Sequence, residues 1–324
     1  MAYLTLFGFA PASVWLQIVL LIASITVVLW GADQLTTGAS GIAQRLGIPQ
    51  LIIGLTIVAA GTSMPEFFVS LLSAINGTPD LAVGNVVGSN IFNTLLIVGC
   101  TAMVAPIAIL RITVKRDIPF SVLASVVLTV MCTNNSISRF DAIILLLLFA
   151  AFMWLTLRGV REERMGQEEL NETKPISILK AILMMLVGLV CLIGGSDVFV
   201  DNASAIAHSL NVSDAIIGLT IVAGGTSLPE LATSVVSARK GNSGIAIGNV
   251  LGSNVFNILA ILGMTGVVQP MSIRGITIID MLVMTFSMVL LWFFSFTKYR
   301  IQRWEGAVLA AAYVAYLCWL IANV

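Results

Sequence analysis

Apolar residues run along almost the whole chain in long stretches that short polar turns separate. A helix needs about 20 apolar residues to cross the hydrocarbon core of a bilayer. The pattern therefore predicts ten membrane-spanning helices, at residues 13–44, 50–75, 80–105, 117–133, 141–158, 176–207, 214–238, 243–268, 276–296 and 304–323. The charged segment 159–175 interrupts this pattern, and it predicts a short cytoplasmic loop between a first half, 1–158, and a second half, 176–324.

Composition agrees with an all-α integral membrane protein. The 324 residues are 58% hydrophobic and 10% charged, whereas a soluble domain is about 25% charged. The net charge is zero, which gives no electrostatic ground for binding nucleic acid. The four cysteines lie in or beside apolar runs at unrelated spacings, so we expect small buried side chains and neither disulfides nor a zinc site. The first apolar run is expected to be a retained span.

The basic residues predict an orientation. With the N-terminus outside, 14 of the 16 Lys and Arg residues fall in loops on the cytoplasmic side. Cytoplasmic loops of membrane proteins carry an excess of Lys and Arg. We therefore expect both termini outside the cytoplasm and the central loop inside.

The two halves of the chain repeat one another. Residues 54–99 align with residues 218–263 without a gap at an offset of 164, and 27 of the 46 positions are identical. Each half holds five predicted spans, and because five is odd, the second half would enter the membrane inverted relative to the first. Inverted repeats are typical of transporters, which bind substrate and coupling ions near the membrane midplane between the repeats.

The repeated segments "GTSMPE" and "GTSLPE" each end an apolar run with a proline and a glutamate. Proline removes a backbone donor, so we expect the second span to kink or unwind near residues 59–63 and to free carbonyl oxygens. Glu66 and Glu230 need a partner, because a carboxylate inside a membrane costs several kcal/mol. Carboxylates, hydroxyls and carbonyls together form the oxygen-rich environment that Ca²⁺ and Na⁺ require.

The third and eighth predicted spans repeat a second motif, "GNVVGSNIFN" and "GNVLGSNVFN". Its glycines are expected to permit close helix packing. A serine and an asparagine four residues apart share one helical face in each copy and could complete the oxygen cage: Ser89 with Asn93, and Ser253 with Asn257. The remaining asparagines of the motif are expected to join helices. Asp33 and Asp197 either shape an ion path or end a helix.

Together the paired motifs resemble the α-repeats of the Ca²⁺/cation antiporter superfamily, which includes the sodium/calcium exchangers. The ten-span layout extends the resemblance over the whole chain, and the short central loop is similar to that of compact prokaryotic members. The resemblance implies that Glu66 and Glu230 are the central Ca²⁺ ligands. It also implies that Ca²⁺ or Na⁺ is coordinated by the carbonyls of Ala59, Thr62, Ala223 and Thr226 and the hydroxyls of Ser63, Ser89, Ser227 and Ser253, with Asn93 and Asn257 completing the central region.

The resemblance implies a secondary active antiporter that exchanges Ca²⁺ for Na⁺ by alternating access. A proton-coupled Ca²⁺ or other cation antiporter is the alternative, and a cation channel is a further one. We expect no cofactor, no enzymatic activity and no obligate protein partner. The expected substrates are Ca²⁺ and Na⁺ or H⁺, in a prokaryotic inner membrane. Some relatives carry aspartate at the position of Asn257, so asparagine there argues against K⁺ co-transport.

Overall fold

The computed structural model describes residue 11 and residues 13–163, 176–212, 217–273 and 275–322. Most of the predicted central loop and the start of the predicted seventh span lie outside the described residues. In the described part the chain is helical, with the following helices: α1 Val14–Leu46, α2 Gln50–Thr62, α3 Met64–Ile75, α4 Pro79–Val104, α5 Thr113–Asn134, α6 Arg139–Glu163, α7 Ile178–Ser209, α8 218–226, α9 Leu228–Arg239, α10 Ser243–Val268, α11 Ile278–Ser295 and α12 Arg303–Ala322.

Eight of the described helices are long and apolar enough to cross a membrane. Helices α2 and α3 form a ninth candidate span that is bent by 47°. The all-helical membrane class is confirmed. Ten spans remain a prediction, since residues 213–216, at the start of the predicted span 214–238, are not described.

Four two-residue strands join the ends of distant helices, a feature that the apolar pattern did not predict. Strand β1, Ile107–Ala108, pairs antiparallel with β4, Arg300–Ile301. Strand β2, Ser136–Ile137, pairs in the same way with β3, Met271–Ser272. Each pair takes one strand from each half of the chain, so the two halves are tied together at both pairs.

Helices α1 and α7 are the longest described and pack against each other through small residues. A methyl group added to Gly31 would lie 2.9 Å from the carbonyl oxygen of Gly188, and one added to Gly195 would lie 3.3 Å from that of Ser24. Because residue numbers rise along α1 as those of the contacted residues on α7 fall, the two helices run antiparallel. Glycine lets helix backbones approach this closely in an apolar environment.

The described elements recur at the offset of the sequence repeat. The π-helical turns Gly54–Val58 in α2 and Phe92–Ile97 in α4 have counterparts at Gly218–Val222 in α8 and Phe256–Ile261 in α10. Such turns insert one extra residue into a helix and are frequent at functional sites. All four lie in or beside the repeated motifs.

Candidate cation-binding site

The first repeated motif forms a bend between two helices. Ser63 lies at the break between α2 and α3, and Pro65 is the second residue of α3, where a missing N–H costs no helical hydrogen bond. The Ser63 amide still donates to the Ala59 carbonyl at 3.0 Å. Of the two expected alternatives, a kink or an unwound segment near residues 59–63, the structure therefore shows the kink. The Thr62 hydroxyl also lies 3.4 Å from the Ala59 oxygen. Because that hydroxyl is closer to Asn249 Oδ1, at 3.1 Å, the contact to Ala59 is the weaker one and could give way to an ion.

The two glutamates occupy equivalent positions in the first turns of α3 and α9. Glu66 is the third residue of α3, and Glu230 is the third residue of α9. Both side chains are fully buried. The N-terminus of a helix carries a partial positive charge, which stabilises a carboxylate there. This local effect is modest, at about 1 kcal/mol, so the pair of buried carboxylates still requires a cation or a proton.

Reciprocal hydrogen bonds bring the two repeated motifs together. The Ser63 hydroxyl donates to Glu230 Oε1 at 3.1 Å, and the Ser227 hydroxyl donates to Glu66 Oε1 at 3.1 Å. Ser227 also lies 3.5 Å from the Ser89 hydroxyl of α4. Each carboxylate is therefore bound by a serine from the opposite half of the chain, and the four side chains form one site.

Several oxygens in this region are buried and available for a ligand. The second carboxylate oxygen, Oε2, of Glu66 and of Glu230 has no hydrogen-bond partner among the described residues. The same holds for the amide oxygens of Asn93 and Asn257. Buried polar atoms are rarely left without a partner. A hard cation bound by these oxygens would remove their desolvation cost.

Two asparagines fix the helices that carry the glutamates. Asn85 on α4 donates to the Glu66 backbone carbonyl at 3.2 Å, and Asn249 on α10 donates to that of Glu230 at 3.3 Å. Asn249 also accepts a hydrogen bond from the Thr62 hydroxyl at 3.1 Å. These contacts join helices, as expected for the asparagines of the motif that were not assigned as ligands.

A further hydrogen-bonded chain reaches Asn93. The Asn93 amide donates to Asn254 Oδ1 at 3.2 Å, and Asn254 donates in turn to the Thr94 hydroxyl at 2.9 Å. Thr94 also lies 3.6 Å from the sulfur of Met288 on α11. Sequence reasoning missed Thr94 and Met288. Thr94 had no signal in the repeat, because its counterpart is Ile258.

The remaining predicted ligands lie on the same helices. Ser253 and Asn257 are fully buried on α10. Ala223 is the first residue and Thr226 the last residue of the final turn of α8. The side chain of Ala223 is outside the described residues. Among the described residues no three His, Cys, Asp or Glu side chains cluster together, so any cation bound here would draw most of its ligands from neutral oxygens.

Helix packing around the site departs from the symmetry of the repeat. A methyl group added to Gly252 of α10 would lie 2.6 Å from the Ala59 side chain of α2. A methyl group added to the equivalent Gly88 of α4 would have none of the described atoms within 4 Å. In the described part of the chain, α2 is thus packed along α10, whereas α8 makes few contacts with α4. The side chains of Leu219 and Ala223, which are equivalent to the residues that meet Gly252, lie outside the described residues. Where the end of α9 meets α1, Lys240 Nζ pairs with Asp33 Oδ1 at 2.6 Å and donates to the Thr37 hydroxyl at 2.8 Å.

Comparison with known proteins agrees with this arrangement. The model of the sodium/calcium exchanger protein family matches residues 16–158 and 180–322. The chain is 37% identical over 307 residues to the putative antiporter CaxA of Alkalimonas amylolytica, covering 92% of this chain and 96% of that one. It is 38% identical over 258 residues to inner membrane protein YrbG of Escherichia coli (strain K12), covering 78% and 79%. A solved structure of the sodium-calcium exchanger NCX_Mj superposes with a TM-score of 0.83 at 29% identity, covering 95% and 100%.

Proposed function

Because the chain belongs to the sodium/calcium exchanger protein family, we propose that it is a secondary active antiporter that exchanges Ca²⁺ for Na⁺ across a membrane. The family is one of transporters, and the related protein CaxA is named an antiporter. The observation that carries the proposal is the reciprocal pair of hydrogen bonds, Ser63 to Glu230 and Ser227 to Glu66. It joins two buried carboxylates, whose two negative charges match one divalent cation.

In this proposal Ca²⁺ binds between Glu66 and Glu230. Ca²⁺ takes 6–8 oxygen ligands. Ca²⁺ and Na⁺ share a larger set of further ligands, which are the carbonyls of Ala59, Thr62, Ala223 and Thr226 and the hydroxyls of Ser63, Ser89, Ser227 and Ser253, with Asn93 and Asn257 completing the central region. Na⁺ ions use subsets of the same oxygens and compete for the same charge. No catalytic residue or cofactor takes part.

Exchange without leak follows from the cost of an empty site. Two buried carboxylates without a counter-ion carry a large desolvation penalty, so the unloaded carrier does not change its exposed side. The loaded carrier does, because the cation offsets the charge. In the architecture proposed here, two inverted repeats of five helices, residues 1–158 and 176–324, flank the site at mid-membrane and are joined by loop 159–175. The antiparallel packing of α1 on α7 supports this inversion.

The proposed location is a cell membrane, with both termini outside the cytoplasm. The relative YrbG is named an inner membrane protein, which supports a prokaryotic inner membrane here. The distribution of Lys and Arg supports the orientation.

Radioactive Ca²⁺ uptake into proteoliposomes tests the proposal. Vesicles are loaded with Na⁺ and diluted into Na⁺-free buffer, and a parallel sample carries an acid-inside pH gradient. We expect uptake driven by Na⁺ and abolished in Glu66→Gln and Glu230→Gln, because each variant leaves one carboxylate. Uptake driven only by the pH gradient would establish the proton-coupled alternative at the same site. Robust uptake in either glutamine variant would refute the site.

A further inference from the structure

Five basic residues lie in or close in sequence to strands β1 and β4, which pair with each other. The Ile109 amide donates to the Tyr299 carbonyl at 2.9 Å, and Ala108 lies opposite Arg300. The Arg111 guanidinium lies 5.2 Å from the centre of the Tyr299 ring. We call the resulting surface the β1–β4 patch, and its basic residues are Arg111, Lys115, Lys298, Arg300 and Arg303.

The positive charge of the β1–β4 patch is not neutralised by the described protein. All five side chains are exposed, and none forms an ion pair with a described residue. The nearest acids are buried and already bound. Asp117 pairs with Arg116 at 2.7 Å, and Glu305 accepts a hydrogen bond from the Gln302 amide at 2.7 Å. Among the described residues, the exposed charges of the patch are therefore all positive.

The equivalent surface at strands β2 and β3 has fewer basic residues, namely Arg139 and Arg274, of which Arg274 lies outside the described residues. At the repeat offset, four of the five basic residues have an uncharged counterpart: Asn134 for Lys298, Ser136 for Arg300, Gly275 for Arg111 and Ile279 for Lys115. Only Arg303 has a basic counterpart, which is Arg139. The fold of the turn therefore does not require basic residues. A need for positive charge is specific to one of two equivalent turns.

The backbone at the patch is held in a conformation that its residues disfavour. Lys298 and Tyr299 have φ angles of 58° and 53°, in the left-handed region. The equivalent turn has asparagines, and asparagine adopts this region more readily than lysine or tyrosine. Strained backbone of this kind is concentrated at functional sites. Lys298 and Tyr299 form the turn that leads directly into β4.

Exposed aromatic side chains border the patch on the helices that it joins. Phe293 and Phe296 are 70% and 55% exposed at the end of α11, and Trp304 is 56% exposed at the start of α12. Aromatic residues are enriched where a membrane protein meets the headgroup region. These aromatic side chains favour a position of the patch close to the lipid headgroups.

We propose that the β1–β4 patch binds the phosphate headgroup of an anionic phospholipid, such as phosphatidylglycerol. Arginine presents paired N–H donors that fit a phosphate group, and Lys298 adds a point charge. The aromatic side chains would contact the upper acyl chain. The orientation proposed above puts this lipid in the cytoplasmic leaflet.

Native mass spectrometry of the full-length protein in detergent tests the proposal. Short-chain phosphatidylglycerol is titrated, with short-chain phosphatidylcholine and soluble glycerol phosphate in parallel samples. A basic residue near an anionic surface contributes roughly fivefold in affinity, so Lys298→Gln/Arg300→Gln should bind phosphatidylglycerol roughly 30-fold more weakly. The charge-conserving Lys298→Arg/Arg300→Lys should bind as the unmodified chain does.

The matched control is Arg45→Gln/Arg239→Gln, which removes two exposed arginines on the same proposed side but outside the patch. We expect it to leave binding unchanged. Equal binding of the two lipids, or an equal loss in the two glutamine variants, would overturn the proposal. Binding of glycerol phosphate as strong as that of phosphatidylglycerol would also overturn it and indicate a site for a free phosphate. Binding is read without transport, so failure here is distinct from failure of the proposed exchange.

Discussion

Ser63 and Ser227 each donate a hydrogen bond to a glutamate of the opposite half. Substitutions of these serines therefore test the site while both carboxylates remain in place. A hydrogen bond to a charged group contributes about 1.5–3 kcal/mol. In Ser63→Ala and in Ser227→Ala we expect the KM for Ca²⁺ to rise roughly tenfold or more, since a ligand and an orienting donor are lost together. The measurement is initial Ca²⁺ uptake in Na⁺-loaded proteoliposomes at varied external Ca²⁺.

Ser121→Ala is the control for these variants. Ser121 is also buried, but on α5, and its hydroxyl has no hydrogen-bond partner in the described part of the chain. Its KM for Ca²⁺ should match that of the unmodified chain. An unchanged KM in both site variants would contradict the role of these serines.

The residues of the site differ in how far sequence could predict them. Residues that occur in both copies of a motif, such as Glu66 and Ser63, were recognisable from sequence as site residues. A buried carboxylate is costly, and the two copies of the motif are related by one constant offset. Their mutual contacts were not, since Ser63 and Glu230 are 167 positions apart. Thr94 and Met288 had no signal at all, because neither is repeated and each is an ordinary residue of an apolar helix.

At the scale of helices, the unequal packing of Gly88 and Gly252 yields a prediction about the conformational change. Alternating access by inverted repeats requires α8 to close on α4 in the opposite state, as α2 is closed on α10 here. In the present state a methyl group on Gly88 meets no described atom within 4 Å. In the closed state it would overpack the contact, at a cost of about 1–3 kcal/mol. Gly88→Ala should therefore cut Ca²⁺ turnover roughly tenfold or more.

A measurement of thermal stability separates this effect on turnover from damage to the fold. Alanine has a higher helix propensity than glycine, so the thermal unfolding midpoint of Gly88→Ala should be unchanged or slightly raised. Gly194→Ala on α7 is the control, because a methyl group there also meets no described atom within 4 Å and Gly194 is not at the α4–α8 contact. A normal turnover rate in Gly88→Ala would argue against closure of α8 on α4.

Helix positions were predicted well where length and hydropathy decide them. The first predicted span, 13–44, is α1, Val14–Leu46, and the third, 80–105, is α4, Pro79–Val104. The break at Ser63 was anticipated from Pro65, but its form, a bend with hydrogen bonds kept, depends on packing across the site. The two-residue strands were missed because two residues give no periodic pattern, and their partners lie in the other half of the chain.

At the scale of the whole molecule, the proposed inverted architecture predicts that equivalent loops lie on opposite sides of the membrane. Thr78 and Asn242 are equivalent at the repeat offset, and each directly precedes a helix, α4 or α10. In the proposed orientation Thr78 is outside and Asn242 is inside. Single cysteines at these positions, in a background with the four native cysteines replaced by serine, allow each side to be labelled.

A membrane-impermeant maleimide should label Thr78→Cys in intact cells, and Asn242→Cys only after the membrane is permeabilised. The physical reason is that five spans separate one loop from its equivalent in the other half, and an odd number of crossings reverses the side. Ca²⁺ uptake by each variant serves as the control for correct folding. Labelling of both cysteines from one side would rule out inversion, and with it the symmetry by which α4 and α8 exchange roles with α2 and α10. Labelling in the reverse order would keep the inversion but reverse the proposed orientation, and the β1–β4 patch would then face the outer leaflet.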